Sequence, residues 1–548
     1  MRTWIKRTLI ALAALFGLIV VAAFGAYWYF FGFGERFPSG GELHPLQAVY
    51  DVSYYDITLD VDAENKTIAG NSRIRARALN DLETIRLNLV DELKVERVEV
   101  NGSAAAFSHR DMVLSVEPDE ELGGGRLFDV TVYYSGKPPE ARFPPWQGGF
   151  SWEKDSAGKH WVAISCQGEG AKIWFPCKDH PSDEPDSVAL NITVPNPYFV
   201  AATGLLQGVD SSRSKLTYHW KTYYPVNNYN INWSMGMYKK VSREYVSADG
   251  PDFPLVFYVL EEGLPGAHTL LDEAAEMLQS LSGYFGPYPW AKEKMGLLYT
   301  PFLGMEHQTL IAYGNEYQQK TTAGIVYDDL LLHELAHEWW GNKVTVGDWA
   351  DFWLHEGFAS YSEALYLRDI GGEEAYHARL SQQKRMIRHR NPLVPGENMT
   401  TEQAYNSDIY YKGSAVLHVL RFVTGDSAFF DAIYTFASDH AYSYPNTVDT
   451  EDFLKLINAT SGMDLSNLFD LYVYSTDVPV IEVKKVQDGY AVRLTNLDFE
   501  LPYEIEAGGI TKRYLLGKET IFFKTDSMPE VDPQRWYMSV VKRVEEKS

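Results

Sequence analysis

Residues 333–361 read HELAHEWWGNKVTVGDWADFWLHEGFASY, and this stretch decides the fold. It opens on His333-Glu334-Leu335-Ala336-His337. Helix positions four apart share one face, so both imidazoles can bind one Zn²⁺ with Glu334 beside them. Leu330, Leu331 and Leu332 precede the motif and Gly341-Asn342 can cap its end, which gives it a helical context. Catalytic zinc takes three protein ligands and keeps one position open. Glu356 is the third candidate, because the 18 residues between it and His337 allow a turn and a second helix packed on the first. The alternative, a surface glutamate, fits poorly with its apolar and aromatic neighbours. His355 lies one step away, about 100° round the helix, so it does not share the metal with Glu356 and is read as a supporting residue.

Working outward, the residues before the motif read first as strands. Ile57, Leu59 and Val61 alternate with polar residues, as do Val130, Val132 and Tyr134, and Val188, Leu190, Ile192 and Val194. Asn101-Gly102 fits a hairpin turn. This predicts a β-rich domain over residues 45–250. Near Pro265 the pattern changes, and Leu270, Leu271, Ala274, Met277, Leu278 and Leu281 recur at helical spacing up to Gly286-Pro287-Tyr288-Pro289. A short strand near residues 295–299 follows, then a long helix up to Trp340, another over about 352–368, and a helical stretch through 417–423. Residues 251–477 are therefore expected to be mainly α. After Val478 strands return, so 478–548 reads as a small β-sandwich, and the fold class is multidomain α+β.

The quoted stretch resembles the gluzincin aminopeptidases, the family of aminopeptidase N and leukotriene hydrolase. Their pattern is HExxH, eighteen residues, then Glu in a W-L-N-E-G-F-A context. GPYPWAKEK, residues 286–294, resembles the segment leading into that family's exopeptidase loop. The resemblance runs over residues 45–545 and implies a saddle-like N-terminal β domain, a thermolysin-like zinc catalytic domain and a C-terminal β-sandwich. It implies a short form without the large C-terminal helical domain of many members. Gly304-Met305-Glu306-His307 falls on the family's G-[AG]-M-E-N loop. The resemblance thus makes Glu306 the anchor of the substrate's free amine, with Gly304 and Met305 in the same substrate-binding loop. A carboxylate beside an ammonium makes a charge-assisted hydrogen bond. His307 stands where the family usually has Asn, and a protonated imidazole there would oppose a cationic amine. Gln167, in Cys166-Gln167-Gly168-Glu169-Gly170, falls on the second amine-binding position. Tyr410-Tyr411-Lys412-Gly413 matches a Y-x-K-G segment, which puts Tyr410 on the catalytic tyrosine that can steady an oxyanion.

The 548 residues carry 49 basic and 74 acidic side chains, a formal charge of −25. Such a surface repels phosphate backbones, so nucleic acid is not an expected partner. The two cysteines, Cys166 and Cys177, are read as buried free thiols, with a disulfide across the short loop as the alternative. Arg2, Lys6 and Arg7 lie in residues 1–7, ahead of a charge-free run over 8–34. That run exceeds the ~20 residues a membrane-spanning helix needs, and its aromatic cluster at residues 27–31 suits a membrane–water boundary. The expectation is an uncleaved single-pass anchor, a cytoplasmic N-terminus, a linker over 35–44 and an extracytoplasmic catalytic domain. A cleaved signal ending near Ala23-Phe24-Gly25 is the alternative.

The expected function is a zinc aminopeptidase acting on peptides with a free N-terminus. One Zn²⁺ per chain would sit on His333, His337 and Glu356, with Glu334 as general base and Tyr410 as oxyanion donor. The alternatives are an inactive membrane-anchored peptide- or protein-binding protein on the same scaffold, an endopeptidase or dipeptidase, and a bifunctional peptidase with epoxide hydrolase activity.

Overall fold

The alternation at Ile57, Leu59 and Val61 becomes the strand Tyr50–Asp62, with all three side chains on its buried face. The computed structural model describes residues 37–544. The expected anchor over 8–34 lies outside the described residues. Among the described residues no helix is long and apolar enough to cross a membrane. Strand Tyr50–Asp62 pairs antiparallel with Thr67–Ala78 and parallel with Ser187–Pro195 in the middle of an eight-stranded sheet. Asn101 and Gly102 have φ of 51° and 81°, the two left-handed residues of a type I′ turn between Leu93–Val100 and Ser103–Ala104. A four-stranded sheet, Phe199–Ala202, Trp233–Gly236, His160–Ser165 and Gly149–Lys154, carries contacts to the middle domain. Trp161 stacks on Tyr299 at 5.7 Å, and Lys294 Nζ donates to the Ala202 carbonyl at 3.1 Å.

The middle domain begins with a five-stranded sheet in the order Lys239–Tyr245, Phe253–Val259, Met295–Tyr299, Ile311–Tyr313 and Gly304–Met305. The sequence placed the first of these strands in the β-rich domain. It pairs instead with Phe253–Val259, because alternation reveals a strand but not its sheet. The short strand Gly304–Met305 runs antiparallel at the sheet edge. Helix Leu264–Phe285 buries its apolar stripe and ends at Gly286, whose φ is 84°.

The motif helix is Asp329–Ala336, shorter than the expected run to Trp340. Asp328 caps it by accepting the Leu331 N–H at 3.0 Å, a contact worth about 1 kcal/mol. His337 is its C-cap with φ −64° and ψ −18°, still right-handed helical, so the four-residue spacing keeps both imidazoles on one face. Gly341, at φ 114°, then turns the chain. Helix Trp353–Lys384 carries Glu356, and helix Asp408–Thr424 carries Tyr410. These two helices meet glycine to glycine, since a Cβ built on Gly357 would lie 2.9 Å from Gly413 Cα. From Val480 on, a four-stranded and a three-stranded sheet follow. Tyr472 ties them to the middle domain by donating to the Met538 carbonyl at 3.0 Å.

Candidate active site

His333 Nε2 and His337 Nε2 lie 3.2 Å apart, and each is 3.3 Å from Glu356 Oε2. Among the described residues these three form a group able to hold a metal ion. Ligand atoms placed tetrahedrally at ~2.0 Å from zinc are ~3.3 Å from one another, so the triangle has the size of one face of a zinc coordination shell. Each imidazole meets an acceptor at its other nitrogen. His333 Nδ1–H donates to Glu363 Oε1 at 3.0 Å, and His337 Nδ1–H donates to the Trp340 carbonyl at 2.7 Å. Those bonds put the proton on Nδ1 and aim both Nε2 lone pairs at the centre of the triangle. Glu356 Oε2 is buried with no hydrogen-bond donor, the environment of a carboxylate made for a cation. The donor set therefore fits zinc. Glu363 is itself held by Arg379 Nε at 2.7 Å and Gln383 Nε2 at 3.1 Å. Burial would raise the Glu363 carboxyl, but Arg379 and His333 outweigh it and bring it to about 2.

Glu334 is buried beside the triangle, under the edge strand Gly304–Met305. A Cβ on Gly304 would sit 2.4 Å from Glu334 Oε1, so glycine lets the strand close over this carboxylate. Burial, reinforced by Glu306 and Glu356 against His333 and His337, pushes the Glu334 carboxyl up to about 8. Tyr410 stacks on His333 with ring centroids 5.8 Å apart, and its hydroxyl lies 3.0 Å from that of Tyr405. Loss of water raises the Tyr410 phenol well above its ordinary value, which keeps it a proton donor. Tyr411 lines the same cavity.

Glu306 is buried, and Tyr229 donates its hydroxyl to Oε1 at 2.9 Å. Gln167 Nε2 donates to the same oxygen from the β-rich domain. Asn342 Nδ2 fixes the Glu306 carbonyl at 2.9 Å. Burial raises the Glu306 carboxyl above its usual range. Gln167, Gly304, Met305, Glu306, Glu334 and Tyr410 line one cavity of about 720 Å³ together with the triangle. The structure thus brings together every site residue expected from the sequence.

Residues 52–229 match the peptidase M1 N-terminal domain, and residues 269–472 match the peptidase family M1 domain. The chain belongs to the peptidase M1 family. It is 22% identical over 470 residues to the tricorn protease-interacting factor F2 of Thermoplasma acidophilum, covering 82% of this chain and 56% of that protein. It is 23% identical over 443 residues to human endoplasmic reticulum aminopeptidase 1, covering 75% and 46%. This M1 chain spans about half the length of such curated relatives. It also resembles the crystal structure of an M1 zinc metallopeptidase from Deinococcus radiodurans bound to a Tyr-Ser-Ala substrate. The TM-score is 0.68 at 25% identity, covering 81% of this chain and 98% of that one.

Two histidines in this M1 chain stand where the sequence comparison led one to expect Asn. Asn232 Nδ2 donates to His307 Nε2 at 2.9 Å, and burial lowers His307 to about 3. The imidazole is neutral, so the expected opposition to a cationic amine does not arise. His355 accepts the Val346 N–H at 3.0 Å, is likewise lowered by burial to about 3, and lies outside the triangle. Cys166 and Cys177 are buried free thiols.

Sequence reasoning missed Glu363, Arg379, Tyr229 and Tyr405. Glu363 follows Glu356 by seven residues, two helical turns on the same face, and that periodicity could have found it. Tyr229 sits in Asn227-Asn228-Tyr229-Asn230-Ile231-Asn232, a strip of the β-rich domain that reaches across to the middle one. Asn227 Nδ2 donates to the Gly341 carbonyl at 3.0 Å, and Asn230 Nδ2 donates to Asn342 Oδ1 at 2.5 Å.

Proposed function

We propose that this chain is a zinc aminopeptidase that removes the first residue from peptides with a free N-terminus. The observation that carries this reading is Glu306, a buried carboxylate in the same cavity as the metal triangle and held by Tyr229 and Gln167. An internal stretch of peptide has no ammonium to offer such a group.

His333, His337 and Glu356 would hold one zinc per chain. A zinc ion held there would supply Lewis acidity, making a water more acidic and the scissile carbonyl more electrophilic. Glu334 takes the water's proton on its carboxylate and hands it to the leaving amine. The Tyr410 hydroxyl donates to the negative charge developing on the carbonyl oxygen. Glu306 and Gln167 hold the substrate's ammonium and set the distance from N-terminus to scissile bond, so the first peptide bond is the one that reacts.

The reading is tested by comparing free and N-acetylated peptides on wild-type protein and on Glu306→Ala. Glu306→Ala should keep its zinc and lose most activity on free aminoacyl substrates, and acetylation should do the same to the wild type. Rapid cleavage of acetylated peptides at internal bonds would overturn it.

Residues 8–34 are proposed as a membrane anchor that leaves the catalytic domain on the extracytoplasmic side, periplasmic or extracellular. Its support is the charge-free run behind Arg2, Lys6 and Arg7. N-terminal sequencing of membrane-purified protein should begin at or near Met1. A start near Ala26 in a soluble fraction would replace the anchor with a cleaved signal.

A further inference from the structure

The cavity that holds Glu306 is also walled by aromatic side chains that the proposed chemistry does not use. Phe143 and Trp146 come from a tight turn of the β-rich domain, closed where the Gln147 N–H donates to the Phe143 carbonyl at 2.9 Å. Their rings stack with centroids 5.0 Å apart. They remain 38% and 43% exposed, unusual for large apolar rings beside a buried site. Trp146 and Tyr405 line the same cavity, and Tyr405 packs on Phe352 with ring centroids 6.1 Å apart. The wall therefore presents partly exposed apolar ring surface to the cavity.

Charge narrows the choice of partner. Among the described residues, the charged or metal-ligating side chains lining this cavity are Glu306, His333, Glu334, His337 and Glu356, and all five already have work in the proposed anchor or the metal centre. The other described lining residues are apolar, aromatic or neutral polar. A charged first side chain would give up its water there without gaining an opposite charge. A large ring or branched chain would instead cover the exposed faces of Phe143 and Trp146.

We propose that Phe143, Trp146 and Tyr405 form the site for the substrate's first side chain and that it selects large apolar and aromatic residues. This rests on the aminopeptidase reading and adds a substrate class to it. Trp146 is the specificity-determining residue, because its turn is supplied by the other domain and its ring has the more exposed face.

The test uses zinc-loaded protein and coumarin amides of Phe, Leu, Ala, Lys and Glu. Phe and Leu amides should exceed the other three in kcat/KM by about 10–200-fold, the range that apolar pockets achieve. Trp146→Ala should remove most of that advantage, chiefly through KM, while Trp146→Phe keeps it and the Ala amide changes little. Best turnover of the Lys or Glu amide, or an equal loss on all amides in Trp146→Ala, would overturn the proposal. Calorimetry of free L-Phe, L-Leu, L-Ala and L-Glu on the Glu334→Gln protein reads the site without turnover. Tighter binding of L-Phe and L-Leu with no amide cleaved would leave this site standing and bring down the aminopeptidase reading. Equal binding of all four would bring down the site alone.

Discussion

Glu363 Oε1 accepts the Nδ1–H of His333 at 3.0 Å, while Arg379 Nε holds the opposite carboxylate oxygen at 2.7 Å. The bond fixes the tautomer and direction of a metal-binding imidazole from behind. Glu363→Gln should weaken zinc retention by about 10–100-fold, the usual cost of losing such a support. Competition with a chromogenic chelator measures this without reference to turnover. Unchanged affinity would mean that helix packing alone orients His333.

Glu334→Gln should keep zinc and lose about 10²–10⁴ in rate, as removal of a general base does. Metal analysis and kcat/KM on the same preparation make the comparison. Near-normal activity would remove Glu334 from the mechanism.

Tyr410→Phe should lower turnover by about 10²–10³, the loss typical of one oxyanion donor. Tyr411→Phe should do little, although both residues line the cavity. Tyr410 stands one turn before Gly413, at the contact with Gly357 that sets the distance between its helix and that of Glu356. The reverse ranking in steady-state kinetics would show that the neighbouring phenol is the donor.

His307 is neutral when folded, with its pKa lowered by burial to about 3. An unfolded histidine titrates near ~6.5. Between those values the unfolded chain binds a proton that the folded one does not, so this residue makes stability rise with pH and fall on acidification. His307→Asn should therefore flatten the loss of stability between pH 7 and 5, by up to about 1.4 kcal/mol per pH unit. Urea midpoints across that range test the sign. A steeper loss in the variant would contradict it.

What could be read in the sequence was local. His333 and His337 are four residues apart, and Glu356 follows after a span that one turn and one helix fill. The motif helix ends four residues short of the sequence expectation, because Trp339 and Trp340 look like further apolar helix positions. They are buried after the helix has ended, in the turn that Gly341 completes. Gly304 lines the expected substrate cavity, and its missing side chain also makes room for Glu334, which the motif alone does not reveal. Tyr229 and Trp146 were invisible for a different reason. Each reaches the site from another domain, and no spacing within a chain announces a contact 77 residues away such as Tyr229 to Glu306.

The asparagine strip at residues 227–232 bears on how this protein can change over time. Its side chains meet Glu306, His307, Gly341 and Asn342, so neither partner surface can drift alone. A chimaera that takes the β-rich domain of one member and the metal-bearing domain of another would inherit two halves of the proposed amine site. Unless that strip and its partners travel together, the chimaera should keep its candidate metal ligands and, on the proposed reading, lose its measure of where a peptide begins.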